Sequence, residues 1–399
     1  MKLLEYKQFN NSTDEEKSLN KKKVAVVAII AVIILFLVLM TILYKANANF
    51  RNFMDKYILF KYINEKDLSS ISIESDRNIY ACAFYNYVVI LENNKLTMYN
   101  SSGKEVQSFD VNISSPIFAV QDNYLLLAEK NQQKVYLFKD KKMLWSKDVE
   151  GQISRISVNE NGYSSVIISG TSYKSVITTY TEDGQEVFKT FLSTTVAVDA
   201  DISKDNKYLS FCEMDLSGTL IESKVKTISI DKAKQDPANS IVNTYEMPSN
   251  SVVTNIEYHE RDNLICSSDT EIYSLKDGNI SVLANLSDNS DLSFSGINLS
   301  KSYFKVIEDK FGINNQKSNV EIYNTSSNKS STYSMNGIAK EVYAKDGVIA
   351  VNMGTEAYFI KENGYLIKKL TTTQEIRGIV ISNNIAGIIY RNKVQFLSL

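Results

Sequence analysis

Three prolines, three cysteines, one histidine and one tryptophan are all that 399 residues hold of those types. So little proline excludes a collagen-like rod and a proline-rich linker. Three cysteines, an odd number without a CxxC pair, exclude a disulfide framework and a cysteine-built metal site. Cys82, Cys212 and Cys266 each stand in an apolar strand context that suits a small buried hydrophobe, with a Cys212–Cys266 bridge between neighbouring repeats as the alternative. His259, in IEYHERDN, is the one histidine a Ser-His-Asp triad or Cys-His dyad could use, and a multi-histidine zinc site cannot be assembled at all. Its setting reads as a solvated residue at a strand-end turn. Excess charge is missing too: 44 basic against 46 acidic residues give a net charge of −2, which removes any global pull toward nucleic acid. No Gly-rich phosphate loop, Walker motif or GxSxG is present. Tyrosine (24) and phenylalanine (17) are plentiful, and that composition leans toward β-structure.

One long hydrophobic run stands out. Residues 24–44 (VAVVAIIAVIILFLVLMTILY) form 21 positions without a charge, enough as a helix to cross the ~30 Å hydrocarbon core of a bilayer. Lys21, Lys22 and Lys23 abut its N-terminal end, so the positive-inside rule keeps residues 1–23 as a cytoplasmic tail and sends the rest outside. The span is expected to stay as a single-pass signal-anchor in the cell membrane. A cleaved signal peptide is the runner-up, because Ala46-Asn47-Ala48 has the A-x-A form. Residues 45–67 then read as a stalk helix or linker: Phe50, Phe53, Met54, Tyr57, Ile58 and the pair Lys61-Tyr62 recur at helical spacing over 47–64.

From residue 68 to 399 short β-branched and aromatic runs alternate with Asn, Asp, Gly and Ser clusters, as strands and hairpin turns do. A repeat runs through them: a quartet apolar at both ends, then a polar turn. It occurs at 96–99, 135–138, 177–180, 227–230, 272–275, 320–323, 357–360 and 394–397, with successive gaps of 39, 42, 50, 45, 48, 37 and 37. A period near 40 residues is the mark of a four-stranded propeller blade. The quartet is then each blade's third strand, and the eight quartets predict an all-β, eight-bladed propeller, with seven blades as the alternative. The last blade runs out of chain before its fourth strand. Residues 70–74 (SISIE) alternate correctly to supply it and to hide a sheet edge.

ISKDNKYLSF (202–211) is similar to the turn between first and second strands in TolB-like propellers, and VYLFKDKKMLW (135–145) resembles the quinoprotein-like and outer-membrane-assembly propeller repeat. The whole layout, a basic tail, one span and a degenerate propeller, resembles an uncharacterised family of membrane-anchored propeller proteins of low-GC Gram-positive bacteria. That resemblance implies the fold and the anchoring, and no activity.

The residues assign no catalytic group, cofactor site or metal ligand. Asp199 and Asp201 in VDADIS, and Asp288 and Asp291 in SDNSDLS, are the carboxylates that could face a channel and offer oxygens to calcium. Trp145 sits where similar propellers pack an aromatic between blades. The function read here is a noncatalytic interaction platform outside the membrane, for an envelope protein or wall polymer. The alternative is a propeller enzyme such as a glycan-processing hydrolase or quinone-dependent dehydrogenase. Carboxylates or arginines converging in the channel would favour the enzyme, and an apolar or Ser/Thr-filled channel the platform. Two longer second-to-third-strand loops, 215–223 and 310–318, carry apolar residues that a solvent loop does not need, and Leu220, Ile221, Phe311 and Ile313 are the expected partner contacts.

Overall fold

The computed structural model describes residues 21–73, 79–249, 251–259, 262–287, 290–310, 316–327, 329–382 and 384–399. They fall into two compact units, one ending at Phe60 and the other Lys61–Leu399.

The first unit is helical. Helix α1 (Lys21–Ala46) is long and apolar enough over Ala25–Ala46 to cross a membrane, and that stretch buries none of its side chains. Asn47 caps the short α2 (Ala48–Phe53) by accepting the amide of Phe50 at 3.0 Å, which satisfies one orphan donor of the first turn. A π-turn follows at Met54–Ile58. The Tyr44 hydroxyl donates to Asp55 Oδ1 at 2.6 Å, fixing this elbow. The helical spacing read over 47–64 therefore holds only to Ile58: Phe60 takes a φ of 48°, a left-handed conformation that a helix cannot pass through. Tyr62 and its neighbours belong to the next unit as a strand.

That unit is the eight-bladed propeller. Its described residues form eight antiparallel sheets, covering 80–110, 116–148, 152–192, 196–246, 253–285, 292–336, 341–371 and 378–398, numbered here as blades 1 to 8. Seven quartets lie on third strands, from Lys95–Tyr99 in blade 1 to Lys393–Ser398 in blade 8, and the blade 4 quartet does so as far as Ser229, its last residue Ile230 opening a short helix, Ile230–Ala233. Blade 2 shows why the inner strands read as apolar runs while the outer ones do not. Its second strand, Tyr124–Glu129, is buried from Tyr124 to Ala128 because neighbouring blades cover both faces, whereas its outermost strand, Lys142–Asp148, alternates exposed and half-buried. Tight hairpins come from residues that tolerate positive φ: Asn93-Asn94, Asp277-Gly278 and Asp346-Gly347 each place both central residues there, as a type I′ turn requires.

The ring closes as the alternation of 70–74 predicts. Ser69–Ser72 pairs with Lys393–Ser398 in the register Ser69↔Phe396 and Ser72↔Lys393, completing blade 8, and the Ile73 amide reaches the Asn392 carbonyl at 3.0 Å. Glu74 lies outside the described residues. Upstream, Tyr62–Asn64 adds a fifth, parallel strand to blade 7 against Leu366–Thr371. Glu65 then bonds both sides of the seam, accepting from Thr373 Oγ1 at 2.5 Å while its carbonyl takes Gln395 Nε2 at 2.8 Å.

The core lies between blades rather than inside any one of them. Tyr124, Leu126 and Leu137 of blade 2 pack on Ile153, Val166 and Val176 of blade 3. Trp145 is the packing aromatic expected there: its Nε1 donates to the Glu182 carbonyl at 3.0 Å, and its ring lies where a Cβ on Gly184 would come within 2.9 Å. Gly184 also has a φ of +79°, so two separate constraints demand glycine. Ser175, Ser223 and Ser318, each at or near the start of a third strand, accept the amides of Ala197 and Val253 on the next blade and of Ala339 in the connection leading into it.

Candidate functional site

Two regions of the propeller bear on function: the edge that carries the second-to-third-strand loops, and the central channel.

In blade 4 that loop joins Tyr208–Asp215 to Glu222–Ser229. Asp215 shapes it by accepting from the Ser217 amide at 2.9 Å and the Ser217 hydroxyl at 2.6 Å, bonds that hold its carboxyl below the usual range. Leu216 within this turn and Leu220 and Ile221 beyond it project with 52%, 65% and 42% of their surface exposed. Phe311 and Ile313 lie outside the described residues. Blade 3 adds to the same edge: Tyr173, in its own second-to-third-strand loop, packs on Phe191 at 4.8 Å between ring centroids, and both rings are exposed. The sequence offered Tyr173 in a shorter loop and Phe191 near the end of an alternating outer strand, so neither stood out as an insertion.

The channel is lined by the innermost strands and has a volume of about 620 Å³. It is neither apolar nor filled with Ser and Thr. Blade 3 contributes Arg155 and blade 4 contributes Asp199, whose Oδ1 takes Arg155 Nε at 2.9 Å. The other oxygen of Asp199 accepts the Ile256 amide of blade 5 at 3.1 Å, and Asp201 Oδ2 accepts the Tyr258 amide at 2.8 Å. An innermost strand has no partner on its channel side, so these two carboxylates satisfy amides that would otherwise stay open, and they sew blade 4 to blade 5. Burial pushes Asp201 up to about 7, with the neighbouring Asp199 adding to the effect. Glu257, which accepts from Asn298 at 2.8 Å, is pushed up to about 8 by burial first and by Asp201 and Asp346 beyond it, against the opposing charge of Lys345. Lys345 of blade 7 reaches across the mouth to Gln121 Oε1 of blade 2 at 2.8 Å.

Among the described residues no three His, Cys, Asp or Glu side chains are placed to hold a metal ion. Asp199 and Asp201 are committed to Arg155 and to backbone amides, Asp288 lies outside the described residues, and Asp291 is exposed on the surface. The reading of His259 as solvated is corrected: it is buried, its Nε2 lies 2.7 Å from the Ile297 carbonyl and its Nδ1 3.4 Å from Thr325 Oγ1, so it joins blade 5 to blade 6. The spacing of one strand could not reveal this, because its partners come from the following blade. The Cys212–Cys266 bridge is absent; all three cysteines are free and buried.

Residues 58–399 match the model of a family described as a family of unknown function (DUF5711). No curated protein matches the chain. Among solved structures, the C-terminal WD40 domain of Sif2 is similar over 83% of this chain and 99% of its own, at 10% identity and a TM-score of 0.53. Sqt1 from Chaetomium thermophilum is similar over 83% and 98%, at 11% identity and a TM-score of 0.52. BamB from Moraxella catarrhalis covers 83% and 99%, at 11% identity and a TM-score of 0.45. At such identities the likeness concerns the fold alone.

Proposed function

The chain belongs to the family of unknown function DUF5711, and from that premise we propose that it is a noncatalytic interaction platform: a propeller anchored to the cell membrane through residues 24–44 and offered, outside the cell, to an envelope protein or wall polymer. The observation that carries this reading is the row of exposed apolar side chains, Tyr173, Phe191, Leu216, Leu220 and Ile221, along one edge of two adjacent blades. Solvent loops gain nothing from such residues, while anchors of this kind set in polar surroundings are what a binding hot spot uses. The lysines before the helix support the outward orientation.

The test is a photo-crosslinking side chain at Leu220, compared with one at Lys141, which lies in a third-to-fourth-strand turn on the opposite edge. A discrete crosslinked species from intact cells is expected at 220 only. Equal products at both positions, or none at 220 from folded protein, would refute the platform edge.

One observation favours the enzymatic alternative, in its hydrolase form. Asp201 and Glu257 are two carboxyls with raised pKa values in one cavity, the equipment of a general acid. Against it, one oxygen of each carboxyl is already committed, that of Asp201 to the Tyr258 amide and that of Glu257 to Asn298.

A further inference from the structure

Blades 3 and 7 stand opposite one another in an eight-membered ring, and each sends a cation into the channel. Arg155 donates through Nε alone, to Asp199 at 2.9 Å, and its two Nη groups have no partner among the described residues although its side chain is 47% exposed. Asp199 is itself buried and fixed by the Ile256 amide. A guanidinium held side-on in this way leaves its distal N–H groups free on the channel wall, a planar fork that matches the two oxygens of a carboxylate. Lys345 faces it from the far wall, steadied by Gln121 at 2.8 Å. Between them, blades 4 and 5 and the segment after the first strand of blade 6 supply Asp201, Glu257 and Asn298.

The lining as a whole holds four basic and five acidic side chains. That mixture of cations with side-chain acceptors suits a molecule whose carboxylate sits beside a hydrogen-bond donor better than a compact dianion such as phosphate, whose oxygens are chiefly acceptors. The volume, about 620 Å³, lies in the range of small-molecule sites.

We propose that the channel binds a small organic acid bearing a hydroxyl or ammonium group next to its carboxylate, with Arg155 receiving the carboxylate and Asp201, Glu257 and Asn298 receiving the neighbouring group. The inference is independent of the edge that carries Leu220 and Ile221.

Isothermal titration of the detergent-solubilised full chain with lactate, alanine and inorganic phosphate tests it. Lactate or alanine is expected to bind saturably and phosphate far more weakly, and the preferred one of the first two tells a hydroxy acid from an amino acid. Arg155→Lys keeps the charge beside Asp199 and removes the fork, so affinity should fall about tenfold, the worth of one charged hydrogen bond. If that variant does not fold, Lys345→Met, which leaves the Arg155–Asp199 pair intact, should weaken binding severalfold. No saturable binding of lactate or alanine, phosphate binding as tightly as either, or unchanged affinity in the folded variants would each overturn the proposal.

Discussion

Asp201 and Glu257 sit near the ends of neighbouring innermost strands with their carboxyls deep in the channel, and burial raises them to about 7 and about 8. In the unfolded chain such groups titrate near 4. Between about pH 4 and pH 7 to 8 the native protein therefore holds protons that the unfolded chain has released, and stability falls as pH rises through that window. Thermal melting of the wild type should drop between pH 5 and pH 8.5, and an Asp201→Asn, Glu257→Gln variant should drop by less. Equal slopes would mean that both acids ionise in the channel without penalty. The sequence showed Asp199 and Asp201 as a pair of carboxylates two residues apart, which is the spacing of one strand face. Arg155 and the amides of Ile256 and Tyr258 come from other blades, so no local pattern could announce the bonds that occupy them. His259 was misread for the same reason.

At the scale of strands, legibility followed burial. Third strands are largely covered by adjacent blades, so each quartet holds at least two buried apolar residues and all eight could be counted. Outer strands are half exposed and vary, and their alternation is too short to stand out. The three-residue strand Tyr62–Asn64 escaped because Tyr62 also fits the helical spacing that precedes it, and only the positive φ of Phe60 breaks that spacing. The closing strand was legible since Ser70-Ile71-Ser72-Ile73 alternates cleanly. Its partner carries the load: Val394, Phe396 and Leu397 are all buried. Deleting residues 392–399 strips blade 8 of its third strand and leaves Ser69–Ser72 unpaired, so the propeller should lose its single cooperative melting transition. A truncated chain that melts as the full one does would show that the seam is dispensable, as only loosely attached termini are.

At the scale of the whole molecule, the proposed anchoring puts the propeller outside the cell, and the protein's own chemistry supplies a clean test of it. Cys82, Cys212 and Cys266 are buried, and burial raises their thiols well above the ordinary value, so they stay protonated and unreactive in the folded state. The native chain is therefore a silent background for thiol labelling. Lys141→Cys places a thiol on the exposed turn of blade 2, and Ser12→Cys places one in the segment before α1. If the proposed topology holds, with the three lysines at the start of the helix keeping that end inside, a membrane-impermeant maleimide added to wall-stripped cells modifies Lys141→Cys at once and reaches Ser12→Cys only after permeabilisation. The opposite pattern would reverse the topology. Mass and fraction of the labelled Lys141→Cys product decide the fate of the span in the same experiment: retention at full length in the membrane fraction is expected of a signal-anchor, whereas cleavage after Ala48 would shorten the product by 48 residues and release it. That outcome would leave the propeller fold untouched and remove the anchor from the proposed function.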